Sequence, residues 1–193
     1  GLFGADASDE RTRLAFALMV ATAMADSDKA FARLWDGADD LVAGDPSRMV
    51  DQLADTIKSR GKIMAATALA TRQSIAYGQT FADALEAVVP GQVSASARLA
   101  DGLRFAARLS VAQESLDIDD MFAQDDLLER LGVGTCEVAV DPDALTEAIR
   151  AQRFARSRRL MLALPRSIGR VRLATVDDAM LREHVAAWAG SRP

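Results

Sequence analysis

One histidine and one cysteine set the outer limit on the chemistry available to this 193-residue chain. His184 falls on a C-terminal helical stretch beside Glu183 and near Arg182. No orienting carboxylate or nucleophile stands at a recognisable spacing, so it reads as an exposed polar residue rather than a general base. Cys136 falls in an alternating apolar stretch and reads as a small buried side chain rather than a nucleophile. One His and one Cys also leave too few donors for a His/Cys zinc site within the chain. The acidic run Asp117, Asp119, Asp120, Asp125, Asp126 and Glu129 lacks the glycine and ligand spacing of a calcium loop, and reads as helix caps and solvated carboxylates. Gly132-Val133-Gly134 precedes its apolar stretch instead of following one, so no phosphate or dinucleotide loop is expected. The sequence therefore predicts no catalytic residue, no cofactor and no metal.

Arginine is the remaining chemical signal. Residues 1–145 hold 13 basic and 24 acidic side chains, a net −11, whereas residues 146–193 hold ten basic and four acidic, a net +6. All ten basic residues of that tail are arginine, whose planar fork suits bidentate contact with carboxylate or phosphate. Arg150, Arg153, Arg156, Arg158, Arg159, Arg166, Arg170 and Arg172 are the candidate binding set. Two partners fit them: acidic protein surface, including the acidic helical part of this chain or of a second copy, and the phosphates of a nucleic acid. Phe154 alone interrupts the arginines, and no helix-turn-helix or RNA-recognition signature is present, which favours the protein partner.

The elements that position these residues are mostly helical. Leu14–Ala25 runs twelve residues without a charge and is rich in Ala, Leu and Met, which predicts a helix buried on most sides. At about 1.5 Å per residue it is far too short to span a bilayer. The acidic residues before it and the absence of cleavage from this chain argue against a signal peptide.

Ser8, Ser27, Asp45-Pro46, Ser94 and Asp141-Pro142 supply helix start signals. In the helix after Pro46, Met49, Val50, Leu53, Ala54 and Ile57 are the expected buried stripe. Lys62–Tyr77 is expected to be helical, and Phe81, Leu85 and Val88 to form a short helix stopped by Pro90. After Gly132 the pattern changes. Thr135–Val140 alternates with a period of two and predicts a strand. Leu160–Leu164 and Val171–Ala174 predict two more strands, and Thr175 a cap for a last helix.

These readings give a mainly α fold: a multi-helix bundle over 1–131 followed by a small β-α-β-β-α part over 132–193, the two being separate modules or one continuous domain. Half the residues are hydrophobic, which is ample for a core, and the lone cysteine points to a reducing, cytoplasmic setting. The expected role is a non-catalytic assembly or interaction subunit that self-associates or docks on a protein partner through its arginine tail, with no membrane span. Phosphate binding by the same arginines is the alternative. An enzyme with a pocket inside the bundle near Trp35, Tyr77 and the methionines is the second alternative.

Overall fold

Leu14–Ala25 lies inside α1 (Glu10–Asp26), and Phe16, Ala17, Met19, Val20, Ala23 and Met24 on it are buried, so this run is the central core helix that its composition predicts. In the computed structural model, residues 6–152 and 159–193 are described. Arg153, Arg156 and Arg158 of the tail lie outside them. Around α1 are arranged α2 (Asp28–Val42), α3 (Pro46–Met64), the short α4 (Leu69–Gln73) with one 3₁₀ turn after it, α5 (Gln79–Val88), α6 (Ala95–Ala112) and α7 (Ile118–Arg130). Then follow α8 (Pro142–Ala151), the strands β1 (Met161–Ser167) and β2 (Arg170–Thr175), and α9 (Asp178–Gly190). The fold is mainly α, as the sequence predicts.

Most starts are capped as expected. The side chains of Ser27, Asp45, Ser94 and Asp141 each accept a bond from a backbone N–H of the first turn of α2, α3, α6 and α8. Two caps differ. α1 starts from Asp9 rather than Ser8, and its first residue, Glu10, reaches across to accept from the Ser96 N–H at 2.8 Å and from the Ser96 hydroxyl at 2.7 Å. α9 is capped by Asp177 rather than Thr175.

Three other expectations fail for identifiable reasons. Thr135–Val140 forms no regular element and Cys136 on it is buried, yet no strand pairs with it. A period of two reports which side chains face the core; it does not report a hydrogen-bonded neighbour. The part after Gly132 therefore runs α-β-β-α. The helix expected over Lys62–Tyr77 breaks after Met64. On α3 the buried positions are Met49, Thr56 and Ile63, seven residues apart, whereas Val50 and Ile57 are 64% and 69% exposed. Neighbouring helices cover a narrower stripe of α3 than its apolar content suggests.

β1 and β2 form an antiparallel hairpin, with Met161 opposite Thr175 and Leu164 opposite Arg172. The register shifts between Pro165 and Ser167, the stretch that carries Arg166. An isolated hairpin is marginal in water. This one is held because Leu162, Leu164, Val171 and Ala174 are buried in the same core as α1 and α6. Its turn seats tightly on the α1–α2 junction: Gly169 has φ +78°, and a Cβ there would lie 2.4 Å from the Ser27 carbonyl carbon. α6 approaches the start of α5 as closely, since a Cβ on Gly102 would stand 2.1 Å from the Gly78 carbonyl oxygen. Among the described residues no helix is long and apolar enough to cross a membrane.

Candidate functional site

Asp101 is the one acidic residue of α6, and it is fully buried. A buried carboxylate is costly unless each oxygen is satisfied. Here Oδ2 accepts from the Cys136 N–H at 3.1 Å and from the Trp188 indole N–H at 3.2 Å, and Arg192 Nη2 stands 2.9 Å away. Oδ1 is met by Arg104 Nη1 at 3.5 Å. Arg104 also donates to the carbonyls of Gly134 and Val133, at 3.2 and 3.4 Å. One carboxylate thus ties α6 to the chain after α7, to α9 and to the residues that follow it.

Above this anchor lies a cleft of about 430 Å³ between α6, α7 and α9. Arg104 and Arg108 come from α6, Asp125 and Glu129 from α7, His184 and Trp188 from α9, with Thr135, Ser191 and Arg192 at the rim. Arg192 lies over the Trp188 ring at 4.9 Å, a cation–π contact that orients the guanidinium. Its Nε is buried and has no partner. Arg108 is half exposed; it bonds Asp125 at 2.9 Å through one nitrogen and the Arg104 carbonyl through another. His184 is half-buried, with Nδ1 3.0 Å from the Met180 carbonyl. A carbonyl only accepts, so Nδ1 carries the proton and Nε2 is the accepting nitrogen of the neutral ring. Glu129 is exposed and has no ion-pair partner among the described residues.

The lining therefore combines arginine forks with two carboxylates and hydroxyls. Guanidinium groups bind phosphate or carboxylate. Glu129, His184, Thr135 and Ser191 offer the mixed donors and acceptors that a hydroxylated ligand requires. Neither Cys136 nor Tyr77 adds a nucleophile. Burial, then the Asp101 carboxylate, pushes the Cys136 thiol far up, and burial first, then Asp125, does the same to the Tyr77 phenol. Both stay protonated at neutral pH.

The arginines singled out from the sequence lie elsewhere. Arg150, at the end of α8, pairs with Glu147 and with Asp178 of α9. Arg159 is exposed just before β1, and Arg166 and Arg170 are exposed on the hairpin. Arg172 is half-buried and donates to the Val171 carbonyl. None of these lines the cleft. The anchor Asp101 and the cleft residues Arg104, Arg108 and Arg192 are missed in the sequence, which reads His184 and Asp125 as solvated. The available signal was Asp101 and Arg104, two opposite charges three apart on a helix whose other charges are the arginines Arg98 and Arg108. The cavity is also not where Trp35 and Tyr77 stand: Tyr77 is packed in the core and donates to Gln124 Oε1, and Trp35 stacks under Arg130 at 4.7 Å.

No protein-family profile and no curated protein matches the chain. Solved structures do match in fold, and the neighbours are synthases, two of them with NAD+ and a divalent metal bound. One is the 2-epi-5-epi-valiolone synthase ValA of Streptomyces hygroscopicus subsp. jinggangensis 5008 with NAD+ and Zn2+, with a TM-score of 0.80 and 16% identity over 94% of this chain and 52% of that one. Another is a 2-deoxy-scyllo-inosose synthase complexed with carbaglucose-6-phosphate, NAD+ and Co2+, with a TM-score of 0.78 and 16% identity over 92% and 51%. A further 2-deoxy-scyllo-inosose synthase structure gives 0.71, again at 16% identity, over 94% and 52%. The chain spans about half the length of each.

These matches overturn the expected non-catalytic assembly or interaction subunit, and with it the labels of complex subunit and protein–protein interaction module. The architecture is one on which enzymes are built. The expectation failed because it rested on arginine count, and count does not report where side chains converge.

The cofactors of those synthases do not fit this chain. The described sheet is a two-stranded antiparallel hairpin, and Gly132-Val133-Gly134 follows a helix, so among the described residues no strand-to-helix glycine loop cradles a dinucleotide. Among the described residues, which include every His, Cys, Asp and Glu of the sequence, no group of three or more stands ready to hold a metal ion.

Proposed function

We propose that this chain is the helical half of an enzyme built like the sugar-phosphate cyclases, and that the cleft between α6, α7 and α9 binds a small polyol bearing a phosphate or other anionic group. The observation that carries this reading is the guanidinium wall, Arg108 and Arg192, fixed by Asp125 and by the fully buried Asp101, with the buried Arg192 Nε left without a partner. The likeness in fold to a synthase complexed with carbaglucose-6-phosphate supports the same ligand class. Arg108 and Arg192 would hold the anion, while Glu129 and His184 Nε2 accept from hydroxyls. A reducing, cytoplasmic setting belongs to this reading, on the strength of the single buried thiol.

Calorimetric titration with glucose 6-phosphate, glucose and inorganic phosphate tests it. Glucose 6-phosphate is expected to bind saturably, phosphate more weakly and glucose not at all. Arg108→Ala should weaken the phosphate ester about tenfold or more, the worth of a hydrogen bond to a charged group. Silence of a folded wild-type chain toward glucose 6-phosphate at millimolar concentration would remove the reading.

A further inference from the structure

Divalent metal accompanies NAD+ in two of the synthase structures that share this fold, so the donor set of the present chain bears on what its cleft does. A resident zinc ion takes three or four His, Cys, Asp or Glu donors within reach of one point. The chain has one histidine and one cysteine, and among the described residues no group of three such donors forms. The cleft is where the shortage is clearest. Asp101 is surrounded by two guanidinium groups, a backbone N–H and the Trp188 indole. Asp125 lies against Arg108 and Arg104. His184 has one nitrogen on a backbone carbonyl. Glu129, His184 Nε2 and the Asp125 Oδ1 that makes no hydrogen bond are then the donors left over, and they do not come together as a group that could hold a metal ion.

We propose that this chain takes its anionic ligand without a divalent cation of its own, and that Arg108 and Arg192 supply the positive charge that would otherwise fall to a metal. The first half of the proposal stands on the donor set alone; the second rests on the cleft being the ligand site. The arrangement is electrostatically sensible. Arginine binds phosphate through paired N–H donors at fixed geometry, whereas a metal needs deprotonated ligands converging on one point, and here Asp101 and Asp125 Oδ2 are turned to arginine instead.

The test uses the purified chain, stripped with chelator and then titrated calorimetrically with zinc alone, and separately with inorganic phosphate in chelator or in equimolar zinc. The expected result is no one-to-one zinc isotherm of submicromolar affinity. Only weak heats over several sites are expected, as exposed carboxylates give. Phosphate affinity should agree within about twofold between the two conditions, because guanidinium–phosphate contacts need no bridging cation. A tight one-to-one zinc isotherm overturns the proposal whichever residues hold the ion, and so does phosphate binding that appears only with zinc. The zinc arm reads the metal inference without any polyol, and glucose 6-phosphate in chelator reads the ligand site without any metal. The two failures are therefore separable.

Discussion

Arg104, Arg108 and Arg192 meet across α6, α7 and α9, whereas Arg166 and Arg170 ride on the outside of the hairpin and Arg150 closes the end of α8 against α9. Both regions are rich in the same residue. In the first, a buried carboxylate fixes the guanidinium groups and a cavity opens beside them. In the second, Arg150 pairs with exposed acids and Arg172 donates to a backbone carbonyl, and none of these arginines lines the cleft. What makes an arginine cluster a candidate site is an interior anchor that holds the groups in place before a ligand arrives. Such preorganisation reduces the entropy lost on binding.

The largest contrast is expected in stability. Asp101→Ala strands Arg104, Arg192, the Cys136 N–H and the Trp188 indole, and removing one partner of a buried pair costs about 3–5 kcal/mol. Arg166→Ala, at an exposed hairpin position, should stay within about 0.5 kcal/mol. Equal denaturation midpoints for the two variants would erase the distinction between the regions.

Gly102→Ala comes next. Its methyl group would meet the Gly78 carbonyl oxygen at 2.1 Å, displacing the helix that carries Arg104 and Arg108, at a cost of about 1–3 kcal/mol in urea unfolding.

A smaller and purely kinetic effect concerns Cys136, whose buried thiol hangs from the segment bonded to Asp101. Wild-type protein should resist a disulfide reagent at pH 8 until it unfolds. Asp101→Asn should speed the reaction, while Arg170→Ala should leave it unchanged.

Asp178 gives the smallest expected effect. The hydrogen bond from Arg150 holds its carboxyl below the ordinary value of 3.8. A lowered folded value means the pairing stabilises the protein above that pH and is lost as acid carries it through the folded value. Asp178→Asn should therefore lower stability slightly above that pH, leave it unchanged in strong acid, and so shallow the acid limb of a stability–pH curve.

Much of the scaffold is legible in the sequence. Charge-free Leu14–Ala25 marks the core helix, and Ser27, Asp45, Ser94 and Asp141 mark real caps, because both signals are local. The cleft is not legible in the same way. Asp101 and Trp188 are far apart in the chain, and their meeting depends on how α9 docks on α6. The alternation at Thr135–Val140 misleads for the same reason, since burial on one side needs no strand partner. Arg150 looks like a docking residue until α9 brings Asp178 to it.

The central claim is that the anion is held at Arg108 and Arg192 rather than on the hairpin. Arginine Nε–H resonances, assigned by substitution and followed during titration with glucose 6-phosphate, address it directly. Because Arg192 Nε has no partner, its signal and that of Arg108 should shift and saturate together, with Arg166, Arg170 and Arg172 unmoved. Shifts confined to the hairpin arginines, with Arg192 and Arg108 still, would contradict the account.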